Sequence, residues 1–157
     1  MAPFWGPARA AVHFLKYRYA LSLAEPLGAM MAQCWEMRGV PVDLVVPVPL
    51  HPSRFRARGY NHAALLAWSV GRQLGLPVDE EALIKVRATK VQMSLGLEER
   101  RANVQGAFVA CRERVQGRRI LVVDDVCTTG ATLEACAEAL REGGAREVWA
   151  LTLARTI

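Results

Sequence analysis

The sequence predicts an α/β fold with a central, mostly parallel sheet flanked by helices. Three short segments rich in aliphatic residues, 42–48, 120–123 and 146–153, have the composition of strands buried on both faces of a parallel sheet. Segments with apolar residues at helical spacing alternate with them. A repeated strand–helix–strand order requires crossovers between parallel strands, and such crossovers are right-handed. We expect a single domain over residues 1–157.

Composition excludes several classes of protein. The chain has 157 residues, of which 52% are apolar and 22% charged, as in globular proteins rather than disordered ones. No apolar run approaches the roughly 20 residues of a membrane span, and the N-terminus lacks the pattern of a secretory signal. We therefore expect a cytoplasmic protein without a membrane partner. The formal charge of +5 does not by itself indicate a nucleic-acid surface, because an anionic substrate explains local arginine clusters equally well.

The four cysteines do not have the spacing of a metal site. Cys34, Cys111, Cys127 and Cys136 are far apart and form no CxxC pair, and a disulfide framework is not expected in a cytosolic domain of this size. Cys34 and Cys136 lie among apolar helical residues and are predicted core residues. We expect Cys127 to fill space in a loop rather than act as a nucleophile, although nearby amides or a cation could lower its pKa.

The first third of the chain predicts two helices and a strand. Residues 8–38 show two apolar stripes at helical spacing, and their exposed apolar side chains leave room for a homodimer. The strand within 42–48 should end at Pro47 and Pro49, since proline cannot donate a ladder hydrogen bond. A helix should follow with Asn61 as its cap and Gly75 at its end. Of the nearby histidines, we expect His51 to shape its loop and His62 to be an isolated residue in the first helical turn.

Residues 77–108 form a polar, broken segment with no clear period. A short strand is predicted at 83–86 and one or two helical turns at 95–101. Sequences of this kind are usually surface loops. The segment returns to the sheet through a turn at 103–108.

The most informative segment is 120–132. Four aliphatic residues end at Asp124 and Asp125, at the predicted carboxyl edge of the sheet, where open α/β folds bind ligands. A loop with three threonines and Gly130 follows, and then a helix that Gly143 and Gly144 should end. Helical amides, hydroxyls and a glycine suit a phosphate, whereas the two carboxylates suit sugar hydroxyls or a divalent cation. Together they describe a site for a ribose 5-phosphate.

Other phosphate-binding classes fit less well. Nucleotide triphosphatases also have acidic residues after a hydrophobic strand, but they need a GxxxxGK[ST] loop, which this sequence lacks. A GxGxxG dinucleotide loop is absent as well. A purely structural turn would need one capping residue rather than two aspartates and three threonines.

The motif DDVCTTGAT after ILVV resembles the phosphoribosyl pyrophosphate (PRPP) signature of type I phosphoribosyltransferases. Segments 46–63 and 87–108 further resemble the ComF family, a phosphoribosyltransferase-like group associated with bacterial competence and DNA uptake. The resemblance implies a type I phosphoribosyltransferase fold with a flexible hood, here about residues 77–108, that closes over PRPP. Many ComF relatives begin with a four-cysteine zinc module, and we expect none in this chain.

The resemblance assigns roles to individual residues. Transfer of ribose 5-phosphate from Mg²⁺-bound PRPP to a nitrogen nucleophile would use the catalytic residues Asp124, Asp125, Arg87 and Lys90, with Mg²⁺ possible at the two aspartates. The 5-phosphate would bind to Cys127, Thr128, Thr129, Gly130, Ala131 and Thr132. Pyrophosphate would bind to Pro49, Leu50, His51, Arg87, Lys90 and Arg101.

The acceptor is left open by the sequence. A purine base such as adenine is our first choice, and ammonia is an alternative. A different class of function also remains, in which the chain is a non-catalytic accessory or regulatory module of DNA uptake that contacts nucleic acid through its basic 54–58 segment.

Overall fold

The computed structural model describes residues 2–3, 6–17, 21–89 and 97–156. The helices are α1 (Gly6–Tyr17), α2 (Ala24–Glu36), α3 (Pro52–Arg58), α4 (His62–Leu74), α5 (Leu97–Val104), α6 (Arg112–Val115) and α7 (Ala131–Glu142), with a 3₁₀ turn at Leu21–Leu23. The strands are β1 (Ala2–Pro3), β2 (Leu44–Pro47), β3 (Leu83–Lys85), β4 (Phe108–Ala110), β5 (Arg119–Cys127) and β6 (Glu147–Arg155).

The main sheet has four strands in the order β1-β6-β5-β2, and all neighbouring pairs are parallel. This arrangement confirms the predicted α/β fold class. The prediction that the aspartates end the central strand is wrong, because β5 continues through them to Cys127. Strand β2 stops pairing with β5 at Val123, whereas β6 remains paired with β5 as far as Cys127. A neighbour on one side is enough to keep the backbone extended.

Strand β6 differs from the prediction in its burial. It was expected to be buried throughout, but Trp149 is 39% exposed and Ala150 is also exposed. Burial begins at Leu151 and continues to Ala154. The amino-terminal half of the strand therefore lies at the surface of the described structure.

A second, smaller sheet lies in the predicted hood segment. Strands β3 and β4 pair antiparallel, with Ile84 opposite Val109. The helical turns predicted at 95–101 correspond to α5 at Leu97–Val104, and residues 95 and 96 lie outside the described residues. Closure of this segment over a ligand stays a prediction.

Alternation along β5 divides the core into two layers. Ile120 and Val122 face a cluster that includes helix α7 and the β3–β4 sheet, while Leu121 and Val123 face a cluster built with α1, α2 and α4. Successive side chains of a strand point to opposite faces. By the same alternation, Asp124 continues the first face and Asp125 the second.

Helices α2 and α4 pack closely at Gly28. A Cβ at this position would collide with the Cβ and Oγ of Ser69, whose hydroxyl donates to the Glu25 carbonyl at 2.9 Å. The predicted caps of α4 are confirmed: the Asn61 side chain accepts from the Ala63 amide at 3.1 Å, and Gly75 has φ +64°. Gly143 and Gly144 end α7 as predicted.

Helix α3 was not predicted. The segment 52–58 contains three arginines and no buried residue, so it has no apolar stripe to reveal a helix. Local interactions form it instead. The His51 side chain accepts from the Ser53 amide, Pro52 occupies the first turn, and Gly59 ends the helix with φ +83°.

The amino ends of β2 and β5 are joined by an ion pair. The Arg119 guanidinium donates to both carboxylate oxygens of Asp43, at 2.6 and 3.1 Å. These hydrogen bonds lower the pKa of Asp43 from 3.8 to about 2. The pair lies at the end of the sheet opposite to the aspartates of β5.

Among the helices of the described residues, none is both long enough and apolar enough to cross a membrane.

Candidate substrate site at the carboxyl edge of the sheet

The site lies where β2 and β5 separate. Helix α4, which comes after β2, its loop and α3, packs on one face of the sheet. Helix α7, which comes after β5, packs on the other face. Loops that leave adjacent strands toward opposite faces open a crevice at the carboxyl edge, which is the usual ligand site of open α/β sheets. The loop at 48–51 leaves β2 at this edge, and the loop at 128–130 leaves β5 at the same edge.

Asp124 and Asp125 occupy the crevice at the exposed end of β5. Asp124 is half-buried, and its Oδ1 accepts from the Asp125 amide at 2.9 Å. Asp125 is only 2% exposed. Although the two side chains leave the strand on opposite faces, each brings a carboxylate oxygen to within 4.8 Å of the other. The structure therefore brings together the two residues predicted to clasp the sugar.

His62 completes this group. The side chain is buried, with 5% exposure. Its Nε2 lies 3.4 Å from Asp125 Oδ2, and its Nδ1 lies 2.8 Å from Nη1 of Arg58. The expectation that His62 is isolated is wrong. Its place in the first turn of α4 was predicted, but the packing of α4 against β5 brings it to Asp125, and this long-range contact leaves no signal in the sequence.

The predicted 5-phosphate loop joins β5 to the N-terminus of α7. Thr128 is exposed, Thr129 Oγ1 accepts from the Ala131 amide at 3.4 Å, and Gly130 has φ +88°, a conformation that favours glycine. Ala131 and Thr132 form the first turn of α7, whose amides carry partial positive charge. The loop thus has the backbone shape and polarity that phosphate recognition requires.

Cys127 is the last residue of β5 rather than part of the loop. Burial raises the pKa of its thiol above the ordinary value, and this effect outweighs the opposite influence of Arg155. The idea that its environment lowers the pKa is wrong. A thiol whose pKa is raised is a poor nucleophile, which agrees with the role predicted for it.

Pro49, Leu50 and His51 follow β2 after one intervening residue, Val48. The half-buried Pro49 and Leu50 line a cavity of about 320 Å³ between the loop, α3 and β3. His51 shapes the loop as expected, because its Nδ1 lies 2.7 Å from Ser53 Oγ and caps α3. Arg56 and Lys85 place two cationic side chains on the wall of the cavity.

The predicted cations of the hood are placed as follows. The guanidinium of Arg87 donates to the carbonyls of Asn103 and Gln105, at 3.2 and 2.6 Å. It therefore links the segment after β3 to the segment before β4. Lys90 lies outside the described residues. Of Arg101, only its backbone position within α5 is described. Their contacts with pyrophosphate stay predictions.

Lys85 is a residue near the site that the sequence did not single out. Its Nζ donates to Thr89 Oγ1 at 2.9 Å and lies 5.1 Å above the Phe108 ring. Burial lowers the pKa of its ammonium, Arg54 adds to that effect, and Asp124 opposes it. The sequence did contain one signal for Lys85. Alternation along a strand at 83–85 turns Ile84 outward and leaves Leu83 and Lys85 facing inward.

The donor set fits a divalent cation only in part. One atom each from His62, Asp124 and Asp125 lie within 4.8 Å of one another. Mg²⁺ prefers oxygen ligands and retains several waters, so the carboxylates of Asp124 and Asp125 suit it and the imidazole does not. The aspartates would therefore hold Mg²⁺ delivered by a substrate, while His62 would contact the carboxylate of Asp125 and not the metal.

Comparison with known proteins identifies the family. Residues 63–156 match the model of the phosphoribosyl transferase domain. DNA utilization protein YhgH of Escherichia coli O157:H7 is 33% identical over 162 residues, covering 100% of this chain and 71% of the relative. Competence protein F of Haemophilus influenzae is 36% identical over 115 residues, covering 72% of this chain and 50% of the relative. This chain belongs to the ComF family of phosphoribosyltransferase-fold proteins.

Solved structures support the phosphoribosyltransferase fold. Glutamine PRPP amidotransferase from B. subtilis, solved with ADP and GMP, aligns with a TM-score of 0.55 and 27% identity. The match covers 81% of the ComF chain and 25% of the enzyme, so the chain spans only a quarter of that protein. An adenine phosphoribosyltransferase from Thermoanaerobacter pseudethanolicus aligns with a TM-score of 0.50, 85% and 82% coverage and 15% identity, which shows a shared fold alone.

Proposed function

We propose that the protein transfers ribose 5-phosphate from Mg²⁺-bound PRPP to a nitrogen nucleophile and releases pyrophosphate. The observation that carries this proposal is the pairing of one buried and one half-buried carboxylate with a phosphate-type loop at one end of β5. Such a pair suits the diol of a sugar whose phosphate lies at the N-terminus of α7. The glutamine PRPP amidotransferase of B. subtilis, whose name includes PRPP, supports the proposal by its similar fold at 27% identity.

Asp124 and Asp125 accept hydrogen bonds from the ribose 2- and 3-hydroxyls. As the bond from C1 to the pyrophosphate oxygen breaks, the leaving group takes the electron pair and the ribose ring becomes positive. Two fixed carboxylates beside the ring stabilise that charge, because they need no reorganisation during the reaction. The nitrogen of the acceptor then forms a bond with C1 and loses its proton to Asp124, the less buried of the two carboxylates.

Departure of pyrophosphate requires positive charge at the other side of C1. Lys85 and Arg56 line the cavity beside the loop at 49–51, and Arg87 and Lys90 are the cations predicted from the hood. When bound, Mg²⁺ would neutralise charge on the pyrophosphate oxygens. Closure of the hood would also keep water away from C1, so that transfer is favoured over hydrolysis.

Pyrophosphate release from Mg²⁺-bound PRPP tests the proposal. The protein is incubated with PRPP and, separately, adenine, guanine, hypoxanthine, uracil or ammonia. We expect base-dependent release that falls about 100-fold or more in Asp125→Asn and Asp124→Asn. Asp43→Asn is the matched control, since it removes a carboxylate from the opposite end of the sheet. Release that is undiminished in both site variants would refute the assignment.

The acceptor is the finer part of the proposal. Adenine is the first base to test. Release with ammonia and with none of the bases would instead assign an amidotransferase-like reaction to the site.

A second candidate function rests on the names of the relatives, which include DNA utilization and competence proteins. In that case the chain would be a non-catalytic module of DNA uptake. The basic helix α3 gives only limited support to a DNA-binding function. Two of its three arginines bind the chain itself, because Arg54 donates to the Thr89 carbonyl and Arg58 to His62. Salt-dependent retention on single-stranded DNA without pyrophosphate release would favour this function.

A further inference from the structure

We propose that Arg58 and His62 form a positioning relay that orients Asp125 toward the ribose. The inference rests on the proposed function and deepens it, because it names two residues that act on the substrate through the aspartate. Its geometric basis is a chain of two contacts. The half-buried Arg58 places Nη1 2.8 Å from His62 Nδ1, and the buried His62 places Nε2 3.4 Å from Asp125 Oδ2.

The direction of the hydrogen bonds follows from the chemistry of arginine. A guanidinium carries only donors, so the His62 nitrogen that faces Arg58 must be the acceptor. In that tautomer the proton lies on the other ring nitrogen, Nε2, which faces Asp125. Arg58 therefore directs the Nε2 proton of His62 toward Asp125 Oδ2, which lies 3.4 Å from that nitrogen, and keeps the bare ring nitrogen turned away from the carboxylate.

The two positioning residues are themselves held in place. Arg58 is the last residue of α3 and His62 the first of α4, with a turn of three residues between them. The Asn61 side chain donates to the Val48 carbonyl at 3.0 Å, and the Tyr60 hydroxyl donates to the Leu15 carbonyl. The turn is thus fastened to the end of β2 and to α1, which leaves the imidazole little freedom to rotate.

Burial makes this orientation valuable. Asp125 is 2% exposed, and a carboxylate with so little access to water needs fixed donors to remain ionised. Substitution of a group that supports a ligand-binding residue commonly lowers affinity or activity by 10- to 100-fold. A donor from His62 would hold the carboxylate at one angle and direct its oxygens toward the diol.

Two substitutions at His62 separate its contact with Arg58 from its contact with Asp125. In His62→Gln the side-chain amide lies near the position of Nε2 and retains a donor to Asp125, whereas in His62→Asn an oxygen near Nδ1 retains only the acceptor for Arg58. We expect His62→Asn to lower kcat for pyrophosphate release about 10-fold or more, and His62→Gln to recover most of that loss. A residue that merely fills the core would give similar losses in both variants.

Arg58→Met provides a second test, with Arg72→Met as the matched control. Arg72 is an arginine of α4 that pairs with Glu25 at the far end of the helix, outside the site. We expect a lower kcat in Arg58→Met only, with both variants folded by circular dichroism. The nitrogen NMR shifts of the His62 ring in the unaltered protein give an independent readout, and we expect a proton on Nε2 and none on Nδ1.

The outcomes are distinguishable. A proton on Nδ1, or unchanged kcat in both His62→Asn and Arg58→Met, would overturn the relay while leaving phosphoribosyl transfer intact. Failure of the unaltered protein to bind Mg²⁺-bound PRPP or to release pyrophosphate would overturn the proposed function, and with it the relay's role. That failure would appear before any substitution is made.

Discussion

Pro47 lies directly opposite Val123, the residue that precedes the two aspartates. One further hydrogen bond, from the Val48 amide to the Val123 carbonyl at 2.9 Å, ends the contact between β2 and β5. Beyond that point β5 is paired on one side only. The prolines of the 47–52 segment therefore set the place where the crevice begins, and they place both aspartates at its inner edge.

Gly130→Ala should weaken substrate binding more than it weakens the fold. A Cβ there has room, since its nearest neighbour would be Glu134 Oε1 at 3.7 Å, but the residue would need φ +88°. The left-handed conformation costs an L-residue about 1–2 kcal/mol. We expect the loop to relax and the Kd for Mg²⁺-bound PRPP to rise about 10-fold, measured by calorimetry. Unchanged affinity would show that the loop does not hold the phosphate.

Cys127→Ser should leave pyrophosphate release within a few-fold of the unaltered rate. Burial raises the pKa of the thiol, so little thiolate is present to act as a nucleophile. For the same reason we expect slow alkylation of Cys127 by iodoacetamide at pH 8, compared with a free thiol, as followed by mass spectrometry of its peptide. Rapid alkylation, or loss of activity in the serine variant, would contradict the interpretation.

Gly28→Ala should destabilise the protein by about 1–3 kcal/mol, the usual cost of inserting a methyl group into a close contact. The new Cβ would meet Ser69 on α4 and displace the hydroxyl that donates to Glu25. Urea unfolding measures the change. Adding Ser69→Gly to the variant should recover part of the loss, and a stability equal to that of the unaltered protein in Gly28→Ala alone would contradict the predicted clash.

Asp43→Asn should lower stability at neutral pH and have no effect near pH 2. Hydrogen bonds from Arg119 lower the pKa of Asp43 from 3.8 to about 2 in the folded protein. A carboxyl group with a lowered pKa contributes stability above its unfolded pKa and loses that contribution as the pH falls through the folded value. Unfolding in urea at several pH values should show the curves of the two proteins converging between about pH 4 and 2. A constant gap would contradict the linkage.

Much of the fold could be predicted because its signals are local. The aliphatic run at 120–123, the cap at Asn61 and the glycines at 75, 143 and 144 each act within a few residues, and the structure confirms them. Helix α3 could not be predicted, since none of its residues is buried. The extension of β5 to Cys127 depends on pairing with β6, which is distant in the sequence.

The candidate site also contains residues with local sequence signals and residues without them. The two aspartates and the threonine loop were recognised because they form one continuous motif. His62 and Lys85 were missed because each reaches the site from another element, His62 from α4 and Lys85 from β3. Contacts of this kind are decided by how the layers pack, and a single sequence contains no direct record of them.

The alternation of β5 has a practical consequence for engineering the protein. Asp124 belongs to the layer of α7 and the hood, whereas Asp125 belongs to the layer of α4, so adjacent residues are supported by separate sets of side chains. The two carboxylates nevertheless converge, with oxygens within 4.8 Å of each other. Substitutions in either layer of the core therefore offer separate routes to adjusting one site at the end of the same nine-residue strand.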